Sequence, residues 1–408
     1  MKNNMHTVLS GISRWLFVAF LAAVPASCRH SKSDTNHSET MQINWEELST
    51  DGLQGNLAKG VSAAYAALIN GNLIVAGGAN FPEKLGFEGG RKFFYNDIVQ
   101  FDASTNKWKL VGHLPDSSAH GVSVPVAGGA LWIGGNNASQ SLNKVYAVSL
   151  SPKGTVKLTP FPALPAAMDN FAGCSSGDMV FVGGGNMNGA PSNVFYCINV
   201  KTDSAWTELP PFPGIPRLQA VMVSMEEEGK TYVYLLGGFF GGDETSVPAM
   251  ATELLKYDVS AGAWTKAGDQ MDPGTQKPFS LGGATAMQLD NRYILCLGGV
   301  NHTIFLDALT AQYKIAHNPA LSTREKEKQN LEFSKRYMTQ PPQYYRFNSE
   351  CRIFDTKTNE WHTIDSTLNA ARAGATLVGD SRKFYAVQGE LKPGVRSPET
   401  WRGEIKIR

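Results

Sequence analysis

A short pattern occurs five times along the sequence. In each copy an apolar strand ends in Gly-Gly, a variable loop follows, and a second strand leads in four copies to a Trp. The glycine pairs begin at positions 77, 134, 183, 237 and 298, so successive copies are 49 to 61 residues apart. A repeat of this length has to be interpreted before domains are counted from chain length.

A period near 50 residues is typical of the kelch motif, whose repeat forms one four-stranded blade of a β-propeller. The glycines allow each strand to end where neighbouring blades crowd, and the Trp packs between blades. We interpret these residues as structural. The pattern predicts an all-β fold, a six-bladed kelch β-propeller, and assigns residues 41–408 to it as one domain.

The sixth repeat is divided between the two ends of the domain. Residues 371–378, 383–389 and 401–407 supply three strands, after which no Trp strand follows. Residues 43–48, which include Trp45, have the pattern of an outer strand without strands before it. Pairing them with residues 401–407 completes the blade and leaves no open sheet edge. We therefore expect the N-terminal strand to close the sixth blade.

The first 40 residues have the pattern of an export segment. Residues 1–27 predict a signal peptide, because the apolar run at 15–24 has ten residues and a membrane span needs about 20. Small residues precede Cys28, which favours its lipidation, with ordinary cleavage after Ala26 as the alternative. Residues 28–40 predict a flexible tether. The sequence predicts a periplasmic protein whose one membrane contact is a lipid anchor.

Charge and cysteine content exclude some functions. The 37 Lys and Arg balance 36 Asp and Glu, which gives no electrostatic argument for nucleic-acid binding. Cys174, Cys197, Cys296 and Cys351 each lie in an apolar, strand-like run. Buried free thiols are the favoured interpretation, with a Cys174–Cys197 disulfide as the alternative.

Loops that follow the glycine pairs emerge on one face of a propeller, and three of them are long: residues 80–96, 239–252 and 302–348. A loop as long as the last is usually functional or disordered. Residues 323–331 predict a helix within it, and we expect this insertion to cap the mouth of the channel.

The same face receives the run Gly389-Glu390-Leu391-Lys392-Pro393-Gly394-Val395-Arg396, a Pro-Gly turn directly after an apolar strand. One interpretation of Glu390 and Arg396 is an exposed ion pair worth about 0 to 1 kcal/mol. In the other, Arg396 holds a substrate carboxylate while Glu390 moves a proton. The residues themselves leave both open.

Polar residues at the starts of the inner strands predict a second set of contacts, along the channel. This set is Lys59, His120, Asn170, Arg217, Ser280 and Arg372. Its cations favour an anionic ligand, although propeller channels are commonly polar without binding one. The histidines are scattered and lack HxH or HExxH spacing, so no metal site is predicted.

Three runs carry a resemblance to a known family: the run that ends at Arg396, Val-Ala-Gly-Gly-Ala-Asn-Phe at 75–81, and Ser-Ala-His-Gly-Val-Ser at 118–123. They are similar to the bacterial N-acetylneuraminate epimerases, or sialic acid mutarotases. Those are exported six-bladed propellers that interconvert sialic acid anomers without metal or cofactor. The resemblance implies Glu390 as the general acid/base, Arg396 and Asn80 as substrate contacts, and a homodimer.

The order of the blades departs from that family's usual arrangement, in which the blade with this run lies mid-chain and directly precedes the blade that comes first here. The chain therefore resembles a circularly permuted branch. Gln388 stands where the family pattern has Asn, and the loop of the first blade is shorter than usual.

We therefore expect a cofactor-independent isomerase that opens and recloses the ring of sialic acid, with Glu390 and a channel partner such as His120 moving protons. The alternatives are a non-catalytic exported sugar-binding propeller and a protein-interaction propeller. The latter would bind through loop aromatics such as Phe93 and Tyr344.

Overall fold

The computed structural model describes residues 41–407. Six four-stranded antiparallel sheets account for most of this part of the chain. The predicted signal peptide (1–27) and tether (28–40), with Cys28, lie outside the described residues and stay predictions. Among the described helices, none is long and apolar enough to cross a membrane.

Each sheet is one blade, and its strands follow one another outwards from the channel. The strands of blades 1 to 3 are Tyr65–Ile69, Asn72–Ala76, Asp97–Asp102 and Lys107–His113; Val122–Val126, Gly129–Ile133, Val145–Leu150 and Val156–Phe161; and Ala172–Ser176, Met179–Gly183, Phe195–Asn199 and Thr207–Leu209. Those of blades 4 to 6 are Val221–Glu227, Lys230–Leu236, Glu253–Asp258 and Ala263–Asp269; Ala284–Leu289, Tyr293–Gly298, Glu350–Asp355 and Glu360–Ser366; and Thr376–Asp380, Lys383–Val387, Thr400–Ile407 and Met41–Glu47.

The inner strands form a closed ring. Each contacts the inner strands of the two neighbouring blades, and that of blade 6 contacts that of blade 1. The predicted six-bladed propeller is therefore confirmed.

Both ends of the domain build blade 6, as the split repeat predicts. Met41–Glu47 runs antiparallel to Thr400–Ile407, with Ile43 opposite Ile405. Both isoleucines are buried in a cluster with Phe384, against which Trp45 packs edge-to-face at 5.4 Å. The closure is thus held by main-chain pairing and by an apolar core.

The repeated tryptophans join neighbouring blades. On four outer strands the indole Nε1–H donates to a main-chain carbonyl of the preceding blade, over 2.8 to 3.0 Å. The pairs are Trp108 with Ser49, Trp206 with Pro162, Trp264 with Pro210, and Trp361 with Asp269. A buried indole is apolar apart from this one donor, so it seals the gap between blades while its N–H stays satisfied.

A closed circle of main-chain hydrogen bonds surrounds the channel, and we call it the backbone ring. One residue per blade contributes, and each donates its N–H to the carbonyl of the preceding member over 2.7 to 3.0 Å. All six have positive φ, between 52° and 68°. The members are Ala63, His120, Asn170, Gln219, Gly283 and Gly374.

The insertion in blade 5 is helical. It contains α1 (His302–Ala316), α2 (Thr323–Met338) and α3 (Pro342–Tyr345). The Asn301 side chain caps α1, and Ser322 forms a capping box with Glu325 at the start of α2. The helix predicted at 323–331 is confirmed as the first half of α2, whereas the periodicity did not indicate α1.

Short elements decorate the loops. Two-stranded pairs are Ala79–Asn80 with Phe93–Phe94, Phe239–Phe240 with Ala249–Met250, and Glu390–Lys392 with Val395–Arg396, while Met168–Asp169, Asn186–Met187 and Ala190–Pro191 form a small three-stranded sheet. Gly55–Lys59 and Gly86–Glu88 are 3₁₀ turns.

The four cysteines within the described residues are buried free thiols. Cys174 and Cys197 lie on either side of the strand Met179–Gly183, and both face Phe181 across the sheet. A disulfide between them, left open by the sequence, is therefore not formed.

Removing the core contact of the closing strand should destabilise the propeller. Ile43→Ala deletes methyl groups from a buried cluster, so we expect the free energy of unfolding to fall by about 2 to 5 kcal/mol in chemical denaturation. The matched control is Gln42→Ala, an exposed position on the same strand, with a change within about 0.5 kcal/mol. Equal effects of the two substitutions would contradict a closure held by this strand.

Candidate active site

A cavity of about 310 Å³ opens at the mouth of the channel, and the starts of all six inner strands contribute to its wall. Gly and Ala are the commonest residues of the wall, and a few polar side chains converge on it. The charged members are Lys92, Glu390 and Arg396; His120, Asn170 and Gln219 add neutral hydrogen-bonding groups.

Glu390 and Arg396 face each other across a tight hairpin. They are cross-strand partners, and Arg396 Nη2 lies 3.2 Å from Glu390 Oε1. The main-chain N–H of Gly394, in the turn, donates to the same oxygen over 2.7 Å. Among residues 41–407 none donates a hydrogen bond to the second carboxylate oxygen, Oε2, so that oxygen stays available to a ligand. Only 22% of the Glu390 side chain is exposed.

Arg396 is fixed in place and is incompletely paired. Its Nε donates to Ser62 Oγ over 3.0 Å, and its guanidinium lies 5.4 Å from the centre of the Phe81 ring. The side chain is 5% exposed. Nη1 is buried and has no hydrogen-bond partner among residues 41–407. A buried donor without a partner is costly, and an anionic ligand in the cavity would satisfy it.

His120 and Lys92 form a second polar pair in the cavity. Lys92 Nζ lies 2.7 Å from His120 Nε2 and 5.3 Å from the centre of the Phe94 ring. Burial, together with the nearby charges of Lys92 and Arg396, lowers the pKa of His120 to about 3. The imidazole is therefore neutral at pH 7, and its Nε2 accepts a hydrogen bond from the Lys92 ammonium.

Lys92 itself is a weakened base. Burial first, and then the charge of Arg396, lower its pKa to about 8, although Glu390 and Asp169 act in the opposite direction. Its ammonium is thus charged near neutral pH and can lose a proton within the physiological range.

A chain of side chains on the backbone ring holds this pair. His120 has a side-chain hydrogen bond with Asn170, whose Oδ1 also accepts from Gln219 Nε2 over 3.0 Å. The Asn170 amide donates to Asp169 Oδ1 over 2.6 Å. Three consecutive ring positions therefore carry an ordered polar arc along one side of the cavity.

Comparison with known proteins identifies the family of this chain. The family model described as N-acetylneuraminate epimerase matches residues 22–156 and 161–408. The chain belongs to this family. Among its relatives, N-acetylneuraminate epimerase 1 of Escherichia coli O6:H1 is 27% identical over 253 residues, 62% of either chain. N-acetylneuraminate epimerase of Pasteurella multocida is 31% identical over 245 residues, 60% of this chain and 59% of the relative.

The chain spans about three fifths of the length of these relatives. A solved structure described as that of YjhT is 22% identical, with a TM-score of 0.47, over 58% of this chain and 62% of that one.

Two arginines expected to line the channel are braces within their own blades instead. Arg217 is fully buried and donates to the main-chain carbonyl of Glu253 over 3.1 Å and to its carboxylate over 2.6 Å. Arg372 is 3% exposed and donates to the carboxylate of Glu399 and to the carbonyls of Gln388 and Glu399. Neither lines the cavity, because each precedes the backbone ring by two residues.

Lys59 and Asn80 also lie outside the cavity wall. Lys59 is exposed, and its Nζ donates to the carbonyl of Pro82 over 2.5 Å. Asn80 is 2% exposed; its amide donates to the carbonyl of Gly60, and its oxygen accepts from the Tyr95 hydroxyl, each over 2.7 Å. In this structure they shape the first-blade loop from which Phe81 reaches Arg396.

Of the residues predicted to line the channel, therefore, only His120 and Asn170 lie in the wall of this cavity. The constant feature is spacing: in four blades the ring residue stands fourteen positions before a residue pair with positive φ that ends the second strand. In blade 3 this pair is Gly184 and Gly185, one residue later than the pair read from the sequence. In blade 6, Gln388 takes the first position, with φ 50°, and its Oε1 accepts from the N–H of Val61 over 2.8 Å.

The helical insertion packs directly on the Glu390 hairpin. Lys392 Nζ donates to the carbonyls of Met338 and Gln340, at 3.1 and 2.7 Å, where α2 ends. Helix α3 contacts the strand Glu390–Lys392. Burial raises the pKa of Tyr337, and the charge of Glu390 adds to this shift, so the phenol lies near the carboxylate. The insertion therefore supports the hairpin from the side of blade 5.

The protonation state of His120 can be tested directly. We expect its imidazole to stay neutral down to about pH 4 in ¹⁵N NMR, because burial and two neighbouring cations oppose a third charge. Lys92→Met removes one cation and should raise this pKa, whereas Lys84→Met, an exposed position on the same loop, should leave it unchanged. Protonation of His120 near pH 6.5 would contradict the geometry.

Proposed function

We propose that this protein interconverts the α and β anomers of N-acetylneuraminate. The observation that carries the proposal is the juxtaposition of Glu390 with a buried Arg396 whose Nη1 has no partner among the described residues. The names of the relatives, all N-acetylneuraminate epimerases, support the same reaction.

The charges of the cavity favour an anionic sugar. Its wall carries two cations, Lys92 and Arg396, against one carboxylate, Glu390, and His120 is neutral. A sugar acid brings the missing negative charge, and its carboxylate can accept from Arg396 Nη1. A neutral sugar would leave that donor buried and unsatisfied, so the site discriminates against it.

The reaction needs two coordinated proton transfers. The Glu390 carboxylate takes the proton of the anomeric hydroxyl while the bond between the anomeric carbon and the ring oxygen breaks, and an acid delivers a proton to that oxygen. The open-chain ketone then rotates and closes on its other face, with both transfers reversed. Free sugars do this unaided, so the 10²- to 10⁴-fold acceleration typical of general acid–base groups is sufficient.

His120 is a poor choice for the acid, although the sequence suggested it. An imidazole with a pKa of about 3 is neutral at pH 7, so it has no imidazolium proton to transfer. Its Nε2 already accepts a hydrogen bond from Lys92. Its role in the proposed reaction is to orient Lys92.

The decisive experiment follows anomer exchange by NMR after the pure α anomer of N-acetylneuraminate is dissolved. The wild-type protein should accelerate the exchange, and Glu390→Gln should lower that acceleration by about 10²-fold or more, because the amide cannot accept the proton. Glu83→Gln, an exposed carboxylate on the first-blade loop, serves as the control and should retain the wild-type rate. Exchange at the spontaneous rate with wild-type protein would leave a non-catalytic sugar-binding propeller as the function.

The arginines should separate binding from stability. Arg396→Met removes the proposed carboxylate contact, and we expect the Kd for N-acetylneuraminate to rise about 10- to 100-fold in calorimetry, with little change in melting temperature. Arg217→Met should do the reverse: an unchanged Kd and a loss of about 1 to 3 kcal/mol in stability, because it breaks a buried brace with Glu253. The opposite pattern would place the ligand at Arg217.

A further inference from the structure

Lys92 is in an unusual setting for a lysine. It belongs to the first-blade loop, next to the strand pair Ala79–Asn80 and Phe93–Phe94, which directs the loop back over the channel. Its Nζ makes a hydrogen bond with His120, and within residues 41–407 it forms no ion pair with a carboxylate. Burial, and then the charge of another cation in the cavity wall, Arg396, lower the pKa of Lys92.

A purely structural lysine does not fit this arrangement. Lysines that support the fold elsewhere in this protein donate to oxygens, as Lys256 does to the Glu227 carboxylate at 2.5 Å and Lys392 to the carbonyls of Met338 and Gln340. Lys92 instead places its ammonium in a cavity, against a neutral imidazole and an aromatic ring. Partial burial of a charge without a counterion is costly. Groups in such a setting are found preferentially at functional sites, where a ligand or a proton transfer uses them.

The hydrogen bond with His120 determines how many ammonium protons of Lys92 remain free for a ligand. His120 Nε2 is an acceptor, since the imidazole is neutral, so it takes one of the three ammonium protons in a hydrogen bond. The His120 side chain also has a hydrogen bond with Asn170, in the polar arc of the backbone ring. The imidazole therefore fixes the position of Nζ while two ammonium protons stay available to the cavity.

We infer that Lys92 is the acid that protonates the sugar ring oxygen, opposite the base Glu390. The inference rests on the proposed function and deepens it, because it names the second group of the reaction. Both residues line the same cavity and come from the neighbouring blades 1 and 6, so both can contact one sugar bound there.

The transfers balance. As the bond between the anomeric carbon and the ring oxygen breaks, the electron pair of that bond goes to the oxygen, which takes a proton from the Lys92 ammonium. Glu390 takes the hydroxyl proton, so the anomeric carbon becomes a ketone. On reclosure the ring hydroxyl returns its proton to the Lys92 amine and the new anomeric hydroxyl receives one from Glu390. No oxidant, reductant or metal is required.

The acidity of Lys92 agrees with this role. A pKa of about 8 gives an acid that is protonated at pH 7 and still able to transfer its proton, whereas an ordinary lysine is a far weaker acid. A carboxylate bound between Arg396 and Lys92 would favour the ammonium and raise this pKa. Activity that depends on the charged form should therefore be lost as the pH rises.

The test compares three variants in the anomer-exchange assay, with Kd measured in parallel. Lys92→Arg keeps the positive charge but cannot release a proton below about pH 12, so we expect the exchange rate to fall about 10²-fold while Kd changes less than about threefold. Lys92→Met should lower the rate similarly and raise Kd as well. Lys84→Met, on the same loop but exposed, should match the wild type in both.

The pH profile supplies a signature that mere structural support would not produce. In the wild type, kcat/KM should fall above about pH 8, and kcat should fall at a higher pH because bound substrate raises the pKa of Lys92. This alkaline limb should be absent from Lys92→Arg. If Lys92→Arg keeps both the rate and the alkaline limb, Lys92 is not the acid.

A measurement on unmodified protein guards against a variant that misfolds. In the wild-type chain labelled with ¹³C-lysine, one Cε resonance should titrate near pH 8 and move to higher pH when N-acetylneuraminate is added. Absence of any such lysine would overturn the inference. The two proposals fail separately: wild-type protein without acceleration refutes the isomerase and with it the acid, whereas acceleration that depends on Glu390 but not on Lys92 refutes only the acid.

Discussion

The rest of the structure depends on the circle of six main-chain hydrogen bonds around the channel. Each member donates to the blade before it and accepts from the blade after it, so the circle fixes the spacing of all inner strands at once. Positive φ at every member turns the chain sharply into the inner strand. Because that conformation is costly for ordinary side chains, it persists only where the surrounding packing enforces it, and here it lies at the edge of the cavity.

The sequence was sufficient for the fold because the period, the glycine pairs and the tryptophans report the same blade. It also located Glu390 and Arg396, since a run of eight residues kept them on one turn. The prediction of the channel lining was wrong for Arg217 and Arg372, because it used polarity as the sign of a lining residue. These two arginines are buried and pair with Glu253 and Glu399. Ala63, Gly283 and Gly374 carry no chemical signal. Lys92 escaped notice because a loop has no periodicity from which the direction of a side chain can be read.

Three of the arginines with buried side chains, Arg217, Arg372 and Arg396, differ in their partners and in their place in the fold. Arg217 and Arg372 each donate to the carboxylate and the main-chain carbonyl of a single glutamate, which fastens the segment before the inner strand to the start of the third strand of the same blade. Arg396 meets its glutamate through one nitrogen, with Ser62 and Phe81 holding the rest. Its Nη1 has no partner among the described residues, and the same is true of Arg217 Nε. Of these two arginines only Arg396 lines the cavity, which supports its proposed role in ligand binding.

The hairpin that carries Glu390 depends on parts of the chain that lie far apart in sequence. Val61 and Ser62 of blade 1 hold it at Gln388, Gly389 and Arg396, and the end of α2 in blade 5 holds Lys392. The hairpin itself belongs to the blade that the N-terminal strand completes. Glu390 and Arg396 can therefore meet Lys92 only after the ring has closed. Two cations facing one carboxylate then leave a positive excess that opposes the compact state, and an anion in the cavity would relieve it. Binding of the proposed sugar acid would therefore favour closure of the ring.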